Sequence, residues 1–247
     1  MLIGFTEGVV NPSTTTDFSV PSGAEIGDHL LFMYGTRRST NLPSGWTHLQ
    51  DAYQPPSGGT RLAMGSAYLE LVSSPPSVVT VSAAISNGYG VLCLLRGVTG
   101  FEKGPQNDEA SGNPTALSMT ASEGGLLIAH TASTHPDGAP FTEPSGMTLL
   151  ATGWGGDNAN TTLGAALGTA YKTVSAGPTG DQTFTENGNG DEKGSTQIMV
   201  YGGASVSAEP FLLRHNPRTN KVIPVLSSPT VTDIGAACVR PRVTKGF

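Results

Sequence analysis

The feature that most constrains the fold of this 247-residue chain is an internal repeat of about 100 residues. Four segments return in the same order: GDHLLFMYG (27–35) as GGLLIAHTA (124–132), PSGWTHL (43–49) as PSGMTLL (144–150), MGSAYLELVSS (64–74) as LGTAYKTVSAG (167–177), and VLCLLRG (91–97) as QIMVYGG (197–203). The separations are 97, 101, 103 and 106 residues, a smooth increase that small loop insertions produce. The order predicts two divergent half-repeats, about residues 20–100 and 120–205.

Each repeated block has the pattern of a β-strand. LLFMY and VLCLL are short apolar runs, typical of strands covered on both faces, and no segment has an apolar period of 3.6 residues. The chain also contains 33 Gly and 18 Pro, which favour turns over helices. We therefore expect an all-β fold, an antiparallel, jelly-roll-like β-sandwich. The half-repeats could form two small sandwiches or interleave into one, and we favour one because each half alone would close a thin core.

The repeat also predicts core positions. Trp46 is matched by Met147, and Tyr68 by Tyr171, so we expect these four apolar side chains to be buried. Cys93 lies within VLCLL and is expected to be a buried small hydrophobic residue. Cys93 and Cys238 do not suggest a disulfide framework.

Residues 206–247 differ from the rest of the chain and are expected to be an extension that serves as an assembly arm. From residue 210 onward the net charge is +5, whereas the preceding residues carry −11. Segments prone to form strands, such as Lys221–Leu226 and Ala237–Val243, are separated by Pro and Asn and are too short to build a core of their own. The candidate arm residues are Arg214, Arg218, Lys221, Arg240, Arg242 and Lys245.

Several classes of function are disfavoured by the sequence. An acidic body repels phosphates, so no nucleic-acid partner is expected. The longest apolar runs are five residues and the first ten residues lack a signal-peptide pattern, so neither membrane insertion nor secretion is expected. Nucleophile-elbow and zinc-protease motifs are absent, and the Gly-Asn loops do not fit a calcium-loop pattern. We expect no enzyme, no catalytic residues, no metal and no cofactor.

Carbohydrate binding is the main alternative, because β-sandwiches often bind glycans on exposed aromatic side chains. Trp154 precedes the polar loop Gly155–Asn158 and is the best platform, with Asp157 and Asn158 as candidate glycan contacts. Trp46 is expected to be structural instead, because its repeat counterpart is an apolar Met.

The segments GDHLLF, PSGWT, the strand containing Ala67-Tyr68, and RGV (96–98) resemble, over about residues 20–205, the sandwich modules of tailed-bacteriophage virion proteins of the minor tail, fibre, spike or capsid-decorating type. The resemblance implies a β-sandwich in a virion, where copies associate with one another and with other virion proteins and sometimes contact a host-surface glycan. It supplies no catalytic residues. The expected function is a structural component that decorates the capsid or forms part of a tail appendage.

Overall fold

The computed structural model describes residues 1–10, 15–37, 40–50, 62–83, 87–109, 111–134, 141–157, 160–187, 192–202, 213–216 and 221–224. These residues form 22 β-strands and no helix, and their strand pairs are antiparallel. The expected all-β antiparallel fold is therefore confirmed. None of the described residues belongs to a helix that could span a bilayer.

The chain divides into two compact units, Met1–Ser205 and Val206–Phe247. The first unit, called the body below, contains two halves, residues 1–97 and 98–202. The second unit contains a hairpin of the two strands β21 (Leu213–Asn216) and β22 (Lys221–Pro224), in which Arg214 lies opposite Ile223.

The first half contains eight strands in two sheets. Their bounds are β1 (Leu2–Val10), β2 (Thr15–Ser19), β3 (His29–Thr36), β4 (Thr40–Asn41), β5 (Thr47–Gln50), β6 (Ala63–Glu70), β7 (Val78–Ala83) and β8 (Gly88–Leu95). A large sheet has the order β1-β8-β3-β6-β5, and a small sheet has the order β2-β7-β4.

The second half has the same plan with shorter outer strands. Its bounds are β9 (Val98–Lys103), β10 (Asn107–Glu109), β11 (Thr115–Ala116), β12 (Thr120–Ala121), β13 (Gly125–Ser133), β14 (Phe141–Thr142), β15 (Thr148–Asp157), β16 (Asn160–Val174), β17 (Gly177–Pro178), β18 (Gln182–Thr183), β19 (Thr185–Glu186) and β20 (Lys193–Gly202). The large sheet has the order β10-β20-β13-β16-β15, with β9 also paired to β20. Three short ladders, β11-β18, β12-β17 and β14-β19, correspond to the small sheet.

The two large sheets correspond in register as well as in order. Leu31 lies opposite Tyr68 and Cys93, and Ile128 lies opposite Tyr171 and Ile198. Both sheets also have an irregularity at the same place, between His48 and Gln50 and between Leu149 and Ala151. The PSG turns before β5 and β15 each place a glycine at positive φ, Gly45 at 94° and Gly146 at 76°, a conformation that a side chain would strain.

One segment of the sequence comparison was shifted by one residue. Aligning VLCLLRG with QIMVYGG matches Cys93 to Met199, whereas the register matches Cys93 to Ile198, a separation of 105 rather than 106. Side chains alternate along a strand, so this shift moves a residue to the opposite face. Cys93 and Ile198 belong to the same core cluster, and Met199 belongs to another.

The core has layers on both faces of each large sheet. Leu31 and Cys93 meet Ile128 and Leu167 in a cluster between the two large sheets. A second cluster, including Phe32, lies between the first large sheet and its small sheet. Two smaller clusters cover the outer face of the second large sheet. The continuous apolar runs are thus covered on both faces, as the sequence predicted.

The expectation of one interleaved sandwich is wrong. Every described strand of the body pairs within its own half, for example β3 with β6 and β8, and β13 with β16 and β20. An isolated half was expected to close only a thin core. The core is thicker because each large sheet buries its second face against the other half.

The four predicted core side chains are buried to different extents. Met147 is 8% exposed and belongs to an outer cluster of the second half. Trp46, Tyr68 and Tyr171 are only half-buried, at the margins of the clusters against which they pack. Cys93 is buried and free, so the expectation of a buried small hydrophobic residue is confirmed, and burial raises the pKa of its thiol to about 12.

Candidate interaction surfaces

Asp28 and Arg96 form an internal ion pair. The Arg96 guanidinium donates from Nε to Asp28 Oδ1 and from Nη2 to Asp28 Oδ2, each at 2.9 Å, and also to the Gly23 carbonyl at 2.7 Å. The Glu25 backbone N–H donates to the same carboxylate, and these bonds to Arg96 and Glu25 lower the pKa of Asp28. The GD and RGV segments therefore hold the loop before β3 against the end of β8.

Buried polar groups in the second half are also used internally. Lys193 and Glu186 form a buried ion pair, and Ser133 donates a 2.7 Å hydrogen bond to Glu186. Buried Gln197 donates to the Ala116 and Gly180 carbonyls at 2.9 and 2.7 Å. These side chains connect the large sheet to the short strands facing it, which is a structural role.

The described histidines do not form a reactive cluster. His130 is buried between the large sheets, and this burial lowers its pKa to about 3. His29 packs near the stacked rings of Tyr68 and Phe101, whose centroids are 4.4 Å apart. His48 is exposed on β5. Among the described residues, no group of three or more His, Cys, Asp or Glu side chains could hold a metal ion.

The structure places Trp154 on the outer face of β15, half-buried beside the cluster that contains Phe141 and Met147. Its ring lies where side chains at Gly156 and Gly164 would otherwise be: a Cβ at either glycine would overlap the indole. The two glycines thus provide a flat floor for the ring. Asp157 ends β15 opposite Asn160, but its side chain and all of Asn158 lie outside the described residues.

The candidate arm residues are only partly described. Arg214 lies in β21 and Lys221 in β22, where the backbone alone is described. Arg218, Arg240, Arg242 and Lys245 lie outside the described residues. The structure therefore brings two of the six basic residues into one hairpin.

Sequence reasoning missed the exposed edge of the first large sheet. Within the described part of the chain, β1 pairs with β8 alone, which leaves its other edge open along nine residues. Phe5 and Val9 are 43% and 38% exposed on one face of this strand, with Glu7 between them. Burial raises the pKa of Glu7, and a hydrogen bond with Tyr89 opposes that rise. Open edges of this kind are templates for pairing with another chain.

The corresponding edge of the second half is protected. β9 and β10 occupy the place of β1 beside β20, but Gly104-Pro105-Gln106 interrupts them. Four charged residues, Glu102, Lys103, Asp108 and Glu109, lie along this edge, against Glu7 alone in β1. Proline and charges disfavour strand addition, so of these two corresponding edges it is β1 that keeps the features of an acceptor.

Comparison with protein-family models, with curated proteins and with solved structures finds no significant match for this chain. What the chain does must therefore be inferred from its own surfaces.

Proposed function

We propose that the chain is a non-enzymatic structural component of a bacteriophage particle, which decorates the capsid or forms part of a tail appendage. Copies associate through the body and through the basic C-terminal arm. The observation that carries the proposal is the opposite charge of the two parts: −11 for the residues before 210 and +5 from there onward. Attraction between an arm and the body of a neighbouring copy favours assembly.

The use of charged side chains inside the body supports this structural role. Asp28 with Arg96, and Glu186 with Lys193, stabilise loops and sheets rather than facing a common cleft. The assignment to a phage particle depends on the resemblance carried by Gly27-Asp28, PSGWT and Arg96–Val98.

We also propose that each half is a jelly roll. In eight-stranded jelly rolls the first, eighth, third and sixth strands form one sheet, and the second and seventh pair in the facing sheet. The orders β1-β8-β3-β6 and β2-β7-β4 support this assignment for the first half, and β20-β13-β16 with the short ladders supports it for the second. Superposing residues 1–97 on 98–202 would test the duplication directly.

The test of the arm uses the full chain with Arg214, Arg218, Lys221, Arg240, Arg242 and Lys245 changed to Gln. We expect sedimentation velocity at low salt to show assemblies for the native chain and loss of those assemblies in the variant, and added salt should mimic the variant because it screens exposed charges. Lys103→Gln, which removes an exposed body charge, is the control. Unchanged assembly in the arm variant would contradict the proposal, and neighbouring genes for portal, capsid or tape-measure proteins would support the phage assignment.

Carbohydrate binding is the second candidate, and the flat, half-buried Trp154 ring on its glycine floor favours it. Sugar rings stack on aromatic faces held rigidly in this way. Here the ligand would be a host-surface glycan, with Asp157 and Asn158 as candidate hydrogen-bonding partners.

A glycan array with the native chain tests this candidate. Binding that Trp154→Ala abolishes and Trp154→Phe retains would indicate stacking, with Trp46→Phe as the matched control on the other half. Absence of binding to any glycan, or binding that Trp154→Ala leaves intact, would exclude this site.

A further inference from the structure

The open edge strand β1 has a partly symmetric sequence. In LIGFTEGVV the outer three residues on each side of Thr6 repeat the same classes, whereas its direct neighbours, Phe5 and Glu7, differ. Leu2 and Ile3 at one end correspond to Val10 and Val9 at the other, and Gly4 corresponds to Gly8. A strand with this symmetry can pair with a copy of itself, because antiparallel pairing around a two-fold axis places each residue opposite its mirror position.

The register centred on Thr6 determines which side chains meet. Thr6 lies opposite Thr6 of the second copy, Gly4 opposite Gly8, and Phe5 opposite Glu7. Phe5 and Val9 share the face of β1 opposite Cys93 and Tyr89, so Phe5 reaches Phe5 and Val9 of the second copy along the diagonals. The two exposed apolar side chains of each copy thereby become covered.

Charge favours β1 over the corresponding edge of the second half, and it favours the register centred on Thr6. The body is strongly acidic, so two copies repel each other over most of their surfaces. β1 carries one carboxylate in nine residues, whereas the edge formed by β9 and β10 carries four charges and a proline break. With Thr6 at the centre, Glu7 faces Phe5 and no two carboxylates lie directly opposite, whereas a shift of one residue per strand would place Glu7 against Glu7.

We propose that two copies of the chain pair antiparallel through β1, centred on Thr6, to form a continuous ten-stranded sheet. This inference rests on the self-association proposed above and names the strand and the register that produce it. The partner is a second copy of this chain, and the backbone hydrogen bonds of the open edge supply the contact.

Cysteine cross-linking in the full chain tests the register, in a Cys238→Ser background with buried Cys93 retained. Thr6→Cys should give a covalent dimer under mild oxidation, because opposed side chains lie within disulfide reach. Val9→Cys is the matched control: Val9 is exposed, but its counterpart in the second copy lies six residues along the strand and cannot be bridged. Equal cross-linking of both variants, or none for Thr6→Cys, would overturn the proposal.

A charge swap at Phe5 gives an independent readout by sedimentation. Phe5→Glu places two pairs of like charges across the interface and should raise the dimer dissociation constant by roughly tenfold or more. Phe5→Lys faces Glu7 of the second copy and should dimerise at least about tenfold more tightly than Phe5→Glu. Val72→Glu, at an exposed loop position, should leave the dimer unchanged.

The outcomes separate this inference from the proposed function. If Phe5→Glu and Phe5→Lys have the same dimer dissociation constant while assembly still depends on the basic arm, the β1 dimer is overturned and the role of the arm is kept. A Thr6-linked dimer that is insensitive to arm neutralisation supports the β1 dimer and overturns the role of the arm. A native chain that is monomeric throughout overturns both.

Discussion

In the first half of the body the largest core side chains project from the large sheet, and in the second half they project from the short segments facing it, Phe141 from β14 and Phe184 from between β18 and β19. Phe32 and Tyr34 of β3 pack against the small sheet, including Val79. The residues in register with them are Ala129 and Thr131 of β13. The missing volume is supplied from the other side, where Phe141 and Phe184 pack edge to face with centroids 6.1 Å apart.

Glycines lie next to the large side chains, on the strands paired with β3 in the first half and on β16 in the second. A Cβ at Gly65 or Gly90 would overlap the rings of Tyr34 and Phe32. In the second half the clash is with Phe141, which lies 2.7 Å from a Cβ placed at Gly168. Both halves are therefore densely packed, but the large side chains lie on the large sheet in the first half and on the segments facing it in the second. The same strand order does not require the same core residues.

The halves also differ in polarity. Leu92 at the centre of the first core corresponds in register to Gln197, and Gly88 corresponds to Lys193. The second core is therefore divided by two hydrogen-bonded groups, one that joins Lys193 to Glu186 and one that joins Gln197 to Thr179. Such networks stabilise only if each member is paired, which makes the second half the more sensitive to polar substitutions.

Removing one large ring from each half should have the largest effect. Phe32→Ala and Phe141→Ala each empty a buried site, and each should lower the free energy of unfolding by about 3–5 kcal/mol. Urea unfolding followed by tryptophan fluorescence measures both. If Phe141→Ala lowered the free energy of unfolding by less than about 1 kcal/mol, the second half would not depend on the Phe141 ring for its packing.

His130 occupies the position that Met33 has in the first half, so His130→Met makes the two halves alike. The pKa of His130 is about 3 in the folded chain, below its ordinary value. As pH falls below about 6.5 the unfolded chain binds a proton that the folded chain does not, and stability decreases until about pH 3. The native chain should lose about 3 kcal/mol more than His130→Met between pH 7 and pH 4. Parallel stability profiles for the two chains would contradict this prediction.

The backbones of the two halves approach closely at Gly155 and Gly88, which predicts a loss of stability when a side chain is added there. A Cβ at Gly155 would overlap the backbone carbonyl of Gly88, which no side-chain rotation can relieve. Gly155→Ala should therefore cost about 1–3 kcal/mol. Gly100→Ala in β9 is the control, because its Cβ would meet nothing nearer than 4.0 Å. Equal stability of the two variants would show that the large sheets separate without cost.

The sequence was sufficient for the fold class, because apolar runs covered on both faces and abundant turn residues are local signals. LLFMY and VLCLL became central strands as expected. The choice between one sandwich and two failed because it depends on which surface covers the second face of each large sheet, and no local pattern encodes that. The one-residue shift at Met199 arose because Gly97 and Gly203 were aligned as equivalent, whereas register is determined by pairing with β13.

The interaction surfaces were predictable only in part. Trp154 was identified from its polar loop, but its glycine floor includes Gly164, which lies ten residues along the chain and is brought back to the ring by the hairpin. The open edge of β1 could not be recognised, because an edge is defined by the absence of a neighbouring strand. The symmetry of LIGFTEGVV was a signal present in the sequence, but it has meaning only for a strand known to lie at an edge.

The smallest effect concerns a contact that only the first half possesses. Asp28 is paired with Arg96, whereas Gly125 stands in its place in the second half, so this ion pair is absent there. Asp28→Asn keeps the shape but removes the charge, and it should lower Tm by a few degrees, because Arg96 is 40% exposed and solvent weakens the pair. Since the pairing lowers the pKa of Asp28, its contribution is complete above about pH 4 and is lost as pH falls further. Thermal melts at pH 7 and pH 3 should therefore show a difference between native chain and variant that narrows at pH 3.

Thr80→Ala, which removes an exposed hydrogen bond to Asp17, is the matched control. A native-to-variant gap that is equally wide at both pH values would mean that shape, and not charge, is what Asp28 contributes to the loop before β3.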